Sequence, residues 1–255
     1  MRRIILALAV VAPLQAAAQT DDRSYLTALL EDNLSGAGRK VVITGFAGAL
    51  SSQASLTELT IADDQGVWLT LRDVVLDWNR AALFSGNVSV NALTAGEIVL
   101  ERVPASEGGT TAEAGSFALP ELPVSVEIGS VAAEKITLGA SVLGTPLEGT
   151  LEASLSLAGG EGAGTLVLQR TDDGPAGKIA LTASFGNASQ QLAIDLDASE
   201  AAGGIAATLL GLPGSPSAAL KVKGAGPLAD FAADVALITD GVDRLAGKVT
   251  LTGQQ

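Results

Sequence analysis

The chain contains no cysteine and no histidine. Without cysteine there is no disulfide framework and no thiol nucleophile, and without both residue types the usual nitrogen and sulfur ligands of zinc are absent. Histidine is the commonest general base, so catalysis by a serine–histidine pair is also excluded. We therefore expect a protein that is not an enzyme, with no catalytic residues, no metal ligands and no cofactor.

Aromatic and basic residues are scarce. Phe, Trp and Tyr together make up 3% of the chain, and 28 acidic against 15 basic residues give a formal net charge of -13. An acidic chain repels the phosphate backbone, so nucleic-acid binding is not expected. A single tyrosine cannot supply the aromatic girdles of a lipid-embedded barrel. The hydrophobic content of 47% nevertheless indicates an ordered chain rather than a disordered one.

Residues 1-18 have the pattern of a signal peptide. Arg2 and Arg3 precede the apolar run Ile4–Leu14, and Ala16–Ala18 supplies the small residues of a cleavage site. A spanning helix needs about 20 apolar residues, so cleavage is favoured over the alternative of an uncleaved N-terminal anchor in the inner membrane. Either outcome predicts a location outside the cytoplasm.

One amphipathic helix is predicted directly after this segment. Asp21–Leu34 carries a single apolar stripe (Leu26, Leu29, Leu30 and Leu34), and glycines follow it. We expect this helix to pack over one end of a sheet. A helix lying on a membrane surface is the alternative, but its acidic residues oppose contact with anionic lipid.

The rest of the chain alternates apolar and polar residues with period two, which is typical of β-strands with one apolar face. Turn signals recur at intervals too short for intervening helices, so parallel crossovers are not expected. The prediction is an all-β antiparallel meander of about 14 strands. Val88–Val90 and Ile98–Leu100 are treated as separate strands. Within 67–78 the alternation changes phase, which predicts a bulge near Asp73 or a sharply twisted strand.

Three regions follow the signal segment. Residues 19-103 hold the helix and the first strands. Residues 104-121, rich in glycine and other small residues, are predicted to be a flexible loop. Residues 122-255 form the repetitive strand region.

Acidic pairs such as Asp63–Asp64 and Asp172–Asp173 fall at turns and are expected to be solvated, with calcium binding as a weak alternative.

The apolar face of an open meander must be covered or occupied. It can pack as a β-sandwich with a dry core, or it can curl into a groove whose natural guest is an acyl chain. The second arrangement makes the inward-facing residues of 122-255 the candidate groove lining. These residues are Leu151, Leu155, Leu157, Ile179, Leu181, Phe185, Leu192, Ile194, Leu196, Leu220, Val222, Phe231, Val235, Leu237, Val249 and Leu251.

Residues 39-103 resemble a known family. The segment Ile61-Ala62-Asp63-Asp64-Gln65-Gly66-Val67-Trp68-Leu69-Thr70-Leu71 is followed ten residues after the first tryptophan by Trp78 and then by Ala82-Leu83. This pattern, marked by Gly66, Trp68, Leu69, Leu71 and Trp78, resembles the N-terminal part of the TamB family, the inner-membrane subunit of the translocation and assembly module. Residues 122-255 resemble the family only in being a low-complexity series of alternating strands.

The resemblance implies an elongated, curved antiparallel meander folded like a taco around a hydrophobic groove (a β-taco). It also implies a periplasmic position, with residues 1-18 as a possible tether to the inner membrane. The implied roles are phospholipid transport and outer-membrane protein assembly and secretion. The implied partners are phospholipid acyl chains and a TamA-like outer-membrane barrel, the latter only where the full-length chain exists.

Two departures from the family limit what carries over. Family members are several times longer, and their characteristic C-terminal domain is not found in this sequence, so we expect the sequence to be truncated at its C-terminus. Trp68 and Trp78 are expected to fill the narrow closed end of the sheet, with direct lipid contact as the alternative. Two other functions stay open: a structural β-sandwich or adhesin-like module with a dry core, and a platform that lends an edge strand to client strands.

Overall fold

The computed structural model describes residues 27–28, 31–32, 35, 39–48, 51–79, 81–82, 87–104, 119 and 125–252. The predicted signal segment lies outside the described residues. Of the predicted N-terminal helix, Thr27, Ala28, Glu31 and Asp32 are described, and all four are helical. The carboxylate of Glu31 accepts a hydrogen bond of 2.6 Å from the backbone N–H of Ile43, which holds this helical segment against the first strand.

Within these described ranges, twelve strands form one sheet whose order is the order of the chain. The strands are β1 (Lys40–Thr44), β2 (Gln53–Asp63), β3 (Gly66–Trp78), β4 (Asn87–Leu100), β5 (Ser125–Leu138), β6 (Leu147–Ala158), β7 (Glu161–Arg170), β8 (Gly177–Gly186), β9 (Gln191–Glu200), β10 (Ala218–Pro227), β11 (Asp230–Thr239) and β12 (Val242–Thr252). Two short helices, α1 (Ala140–Leu143) and α2 (Ile205–Leu209), lie in the connections β5–β6 and β9–β10. The predicted all-β meander is confirmed, and the sheet is open, with β1 and β12 at its edges.

The predicted number of about 14 strands exceeds the twelve that the described residues form. The sequence predicts the runs 88–90 and 98–100 as separate strands, but both belong to β4, a single strand of 14 residues. The alternation changes phase inside β4 while the backbone pairing continues through it, and that change looked like an interruption in the sequence.

The expectation that the sheet has no parallel pair is also wrong. β4 and β5 pair in parallel, from Asn87 opposite Ser125 to Leu100 opposite Leu138. Parallel neighbours need a connection of about a dozen residues or more, because the chain must return to the end at which it started. The connection 101–124, which contains the whole of the predicted flexible loop 104-121, is long enough to make that return.

Pairing register aligns the apolar residues of all neighbouring strands on one face. One row runs without a break from β2 to β12, with each member directly opposite the next. Its members are Ala54, Leu76, Leu93, Val131, Ala153, Leu166, Leu181, Leu196, Val222, Val235 and Gly247. We call the side of the sheet that carries this row the apolar face.

The change of phase predicted near Asp73 occurs at that residue. Leu71 and Val74 both lie on the apolar face, whereas Arg72 and Asp73 between them are exposed. Asp73 has a φ of 50°, in the left-handed region. The register against β2 is the same on both sides of it, because Leu56 opposite Val74 and Glu58 opposite Arg72 keep one offset. The feature is therefore a left-handed kink rather than a bulge.

A ladder of alternating charges runs along the polar face beside this kink. Its members are Glu58, Arg72, Glu97, Lys135 and Glu148, one from each of β2 to β6. The successive N···O distances are 3.2, 2.5, 3.7 and 2.8 Å. Exposed ion pairs contribute little individually, but opposite charges on adjacent strands favour this register over one with like charges opposed.

The kink predicts that Asp73 and Asp77, both in β3, differ in whether glycine or alanine is the more stable replacement. At Asp73, glycine tolerates the positive φ, so Asp73→Ala should be less stable to unfolding than Asp73→Gly by about 1 kcal/mol. At Asp77, which has no positive φ, the order should reverse, since glycine weakens a regular strand by about 0.5–1 kcal/mol relative to alanine. Urea unfolding of the four variants measures both differences. The same order at both positions would contradict the kink.

Candidate functional site: the apolar face

All sixteen predicted groove-lining residues lie on the apolar face. Alternation in β6 and in β8 to β12 places them there, and cross-strand pairs such as Leu192 with Phe185 and Leu251 with Phe231 join them directly. Their burial differs along the face. Phe185 and Phe231 are buried, whereas Leu155 and Val249 keep 45% and 52% of their surface exposed.

The prediction missed β7, although this strand lies in the middle of the face. Gly162 and Gly164 occupy two of its five inward positions and Arg170 occupies a third, so the alternation shows only at Leu166 and Leu168. Leu168 is buried and belongs to the main apolar cluster. Two features of the sequence could have revealed β7. The segment is long enough for a strand, and it lies between two segments whose apolar and polar residues alternate.

The apolar face is not sealed as a deep core. In the part of the chain that the structure describes, no large side chain is less than 2% exposed, and the main cluster draws its buried members from β1 to β7 only. Towards the β12 edge the inward residues Leu245, Val249 and Leu251 are each more than 40% exposed. A dry sandwich core would bury such residues between two sheets.

α2 lies over one end of the apolar face, and a half-open cavity of about 250 Å³ lies beneath it. The ends of β7 and β9, the starts of β6, β8 and β10, and the helices α1 and α2 supply its walls. Apolar residues that line it include Leu143, Leu147, Leu168, Ile179, Ala198, Ile205, Leu209, Leu210, Ala218 and Leu220. Ile205 also packs against the main apolar cluster, which fixes α2 to the sheet.

A cluster of paired charges stands at the rim of this cavity. Arg170 donates from Nε to Asp172 Oδ1 at 2.6 Å and from Nη1 to Glu200 Oε1 at 3.0 Å. The other oxygen of Glu200 accepts from the backbone N–H of Ala206 in the first turn of α2, at 2.6 Å. The side chains of Arg170 and Glu200 are each 10% exposed. The cluster therefore ties α2 to β7 and β9.

The surroundings of Asp172 shift the pKa of its carboxyl group. Burial by itself would raise the pKa of its carboxyl group. The hydrogen bonds that this group accepts from the backbone N–H of Glu148 and Gly174 and from Arg170 outweigh burial and lower the pKa below its ordinary value.

The expectation that both acidic turn pairs are solvated is wrong for one residue of each pair. Asp63 accepts hydrogen bonds from both terminal nitrogens of Arg102, which also donates to the carbonyl of Gly66 at 2.8 Å. Asp172 is held in the rim cluster. No group of three or more acidic residues among the described positions could hold a metal ion.

The two tryptophans of the family-like motif do not fill one end together. Trp78 is opposite the buried Val90 on the apolar face, at the end of the sheet away from α2. Trp68 neighbours the inward Leu69 and so lies on the other face, at the α2 end. Gly66 has a φ of 106° in the β2–β3 turn, which explains why the motif needs glycine there.

Leu119, a described residue of the segment predicted as a flexible loop, contacts the sheet. Asn187 accepts a hydrogen bond from the backbone N–H of Leu119 at 2.7 Å and donates to its carbonyl at 2.8 Å. The side chain of Leu119 lies over Gly162, where a Cβ would approach it to 2.7 Å. Leu119 thus covers part of the apolar face between Leu157 and Phe185.

Comparisons of the chain with protein-family models, with curated proteins and with solved structures find no match. Among the described residues, no helix has the length and apolar character needed to cross a membrane.

The rim cluster predicts a specific acid sensitivity. A lowered pKa means that the stabilisation from the Asp172 carboxylate is present above its ordinary pKa of about 3.9 and is lost as the pH falls through the lower folded value. Asp172→Asn should reduce the free energy of unfolding at neutral pH by about 1–3 kcal/mol and flatten its decline in acid. Urea unfolding from neutral pH to about pH 3 measures both effects.

Asp173→Asn is the matched control, because Asp173 is the adjacent, exposed carboxylate. Equal pH profiles for the two variants would contradict the role of Asp172 in the cluster.

Proposed function

We propose that the chain is a non-enzymatic scaffold of the TamB-like kind that conducts phospholipid acyl chains along its apolar face. The observation that carries this proposal is the unbroken apolar row from β2 to β12, which stays partly exposed over most of its length. Large exposed apolar surfaces on proteins are usually functional. An acyl chain needs apolar contact and no catalytic group, and apolar contact is what the face supplies.

The location and partners belong to the same proposal. The signal-like residues 1-18 favour the periplasm, with or without a tether to the inner membrane. The family-like motif in residues 39-103 favours a TamB-like role, and a TamA-like outer-membrane barrel is the partner that this resemblance implies. The polar face, with its charge ladder, suits contact with water while the other face holds lipid.

Site-specific photocrosslinking tests the proposal. A photoreactive amino acid at Leu155, Ile194 or Val235, all on the apolar face, should capture phospholipid in the purified protein or in cells. The matched controls are Ser154 and Asp195, each adjacent in sequence to a test position and on the polar face. We expect capture from the first set alone, with the captured lipid identified by mass spectrometry.

Two results would contradict the proposal. Capture only from the polar-face positions would place lipid outside the groove. A lipid extract that contains no phospholipid, together with apolar-face positions that no label reaches, would instead support a structural module with a dry core.

A second candidate function is strand donation to client proteins, and the β12 edge favours it. β12 pairs with β11 alone among the described strands. On the polar face, Asp195, Lys223, Asp234 and Lys248 form a row of alternating charges across β9 to β12. The row ends at Lys248 on the open edge, where an added strand with an acidic residue would continue it.

Proline in β12 separates strand donation from lipid conduction. Adjacent residues of an edge strand direct their N–H groups to opposite sides. Of the two variants Ala246→Pro and Gly247→Pro, one therefore removes an N–H group from the open edge and leaves the hydrogen bonds between β12 and β11 intact. The edge-blocking variant should abolish assembly of client outer-membrane strands in cells and retain lipid capture at Ile194. Normal assembly with both variants would exclude strand donation by β12.

A further inference from the structure

The connection between β9 and β10, which contains α2, is a long stretch without charged residues. Residues 201–217 include no Asp, Glu, Lys or Arg, although charged residues make up 17% of the chain. The nearest charge before it is Glu200, whose carboxylate is 10% exposed and hydrogen-bonded to Arg170 and to the start of α2. This connection therefore presents a neutral surface on an otherwise acidic protein.

Two leucines on this connection are exposed and also line the cavity. Leu209 keeps 63% of its surface exposed and Leu210 keeps 47%, and both contribute to the wall of the cavity beneath α2. Single exposed leucines are ordinary on protein surfaces. Two adjacent ones at the mouth of an apolar cavity form a continuous apolar path from the outside to the face below.

The inner end of this path joins the apolar face. Ile179 and Leu220 line the cavity, and Ala198 between them is paired directly with both. The next row inward, Leu181–Leu196–Val222, belongs to the unbroken row of the sheet. A chain of methylene groups that passes Leu209 and Leu210 would remain in apolar surroundings until it reaches that row.

The charges at the rim do not oppose such a passage. Arg170, Asp172 and Glu200 are hydrogen-bonded to one another and to backbone N–H groups. The paired cluster offers no unpaired charge, and the other charged residue that lines the cavity, Lys178, is exposed, so its ammonium group lies on the water side beside the place of a lipid head group. The chemistry of the cavity therefore fits the tail of an amphiphile and leaves its head group outside.

We propose that α2 and the cavity beneath it are a port, at which Leu209 and Leu210 seat on a phospholipid surface and one acyl chain passes to the apolar face. The inference rests on the proposed lipid-conducting function and adds the point at which lipid is loaded. A neutral, apolar contact surface on an acidic protein fits a zwitterionic bilayer better than an anionic one, because anionic head groups would repel the rest of the chain.

The test compares two sources of the same lipid. The full chain carries a photoreactive residue at Ile194 and receives phosphatidylcholine either from vesicles or from detergent micelles. In Leu209→Ser/Leu210→Ser, we expect capture from vesicles to fall by at least about tenfold, because two leucines no longer bury in the bilayer surface. Capture from micelles should stay unchanged, which also shows that the variant is folded.

Val103→Ser is the matched control, since Val103 is exposed to 62% and lies outside the α2 connection. It should load lipid from vesicles as the unsubstituted chain does. Anionic phosphatidylglycerol vesicles should load the unsubstituted chain more slowly than phosphatidylcholine vesicles at low ionic strength.

The possible outcomes separate the port from the groove. Undiminished capture from vesicles in the double-serine variant would overturn the port and leave the lipid-conducting function standing. An equal fall from vesicles and micelles would show that the two leucines shape the groove rather than touch a lipid surface, and would overturn the port as well. Failure of the unsubstituted chain to capture lipid from either source would overturn the proposed function, and the port with it.

Discussion

The structure depends on one constraint, the register of backbone pairing between neighbouring strands. Side chains alternate between the two faces of a strand, so a slip of one residue would move every apolar side chain of that strand to the polar face. The chain has no cysteine with which to form a disulfide. Hydrogen-bonded pairing and burial of the apolar face must therefore hold the sheet together, and the charge pairs Lys223–Asp195 and Lys248–Asp234 help to fix the register from the other side.

The kink in the first half of the sheet is a consequence of the same constraint. In β3 the inward residues shift phase at Asp73, and β4 shifts beside it, between Ala95 and Ile98. A shift in one strand alone would bring a polar residue opposite an apolar one. The neighbouring strands therefore shift together, and the pairing of β5 with β6 absorbs the change by an irregularity between Ala133 and Ile136. Beyond it, β6 to β11 alternate without interruption.

Sequence patterns predicted the fold class, and they predicted which residues of 122-255 share one face of the sheet, because both follow from local alternation. Every candidate from Leu151 to Leu251 lies on one face. The failures involve information that is not local. The parallel β4–β5 pair depends on where the connection 101–124 returns, and β7 was missed because glycine takes two of its inward positions. The pairing of Asp63 with Arg102 spans 39 residues, so a turn signal alone could not reveal it.

The uniformity of the apolar face bears on the proposal that it conducts acyl chains. In the row from Ala54 to Val235, successive strands offer aliphatic side chains at intervals of about 4.8 Å. Apolar contact has no preferred direction, and its strength follows the area removed from water. An acyl chain moved by one strand would therefore exchange one set of contacts for an equivalent set, without breaking a hydrogen bond. The charged groups lie outside this path, in the Arg170 cluster at the rim and on the polar face. Such a surface favours movement over tight storage, which is the physical basis for preferring conduction to a fixed binding site.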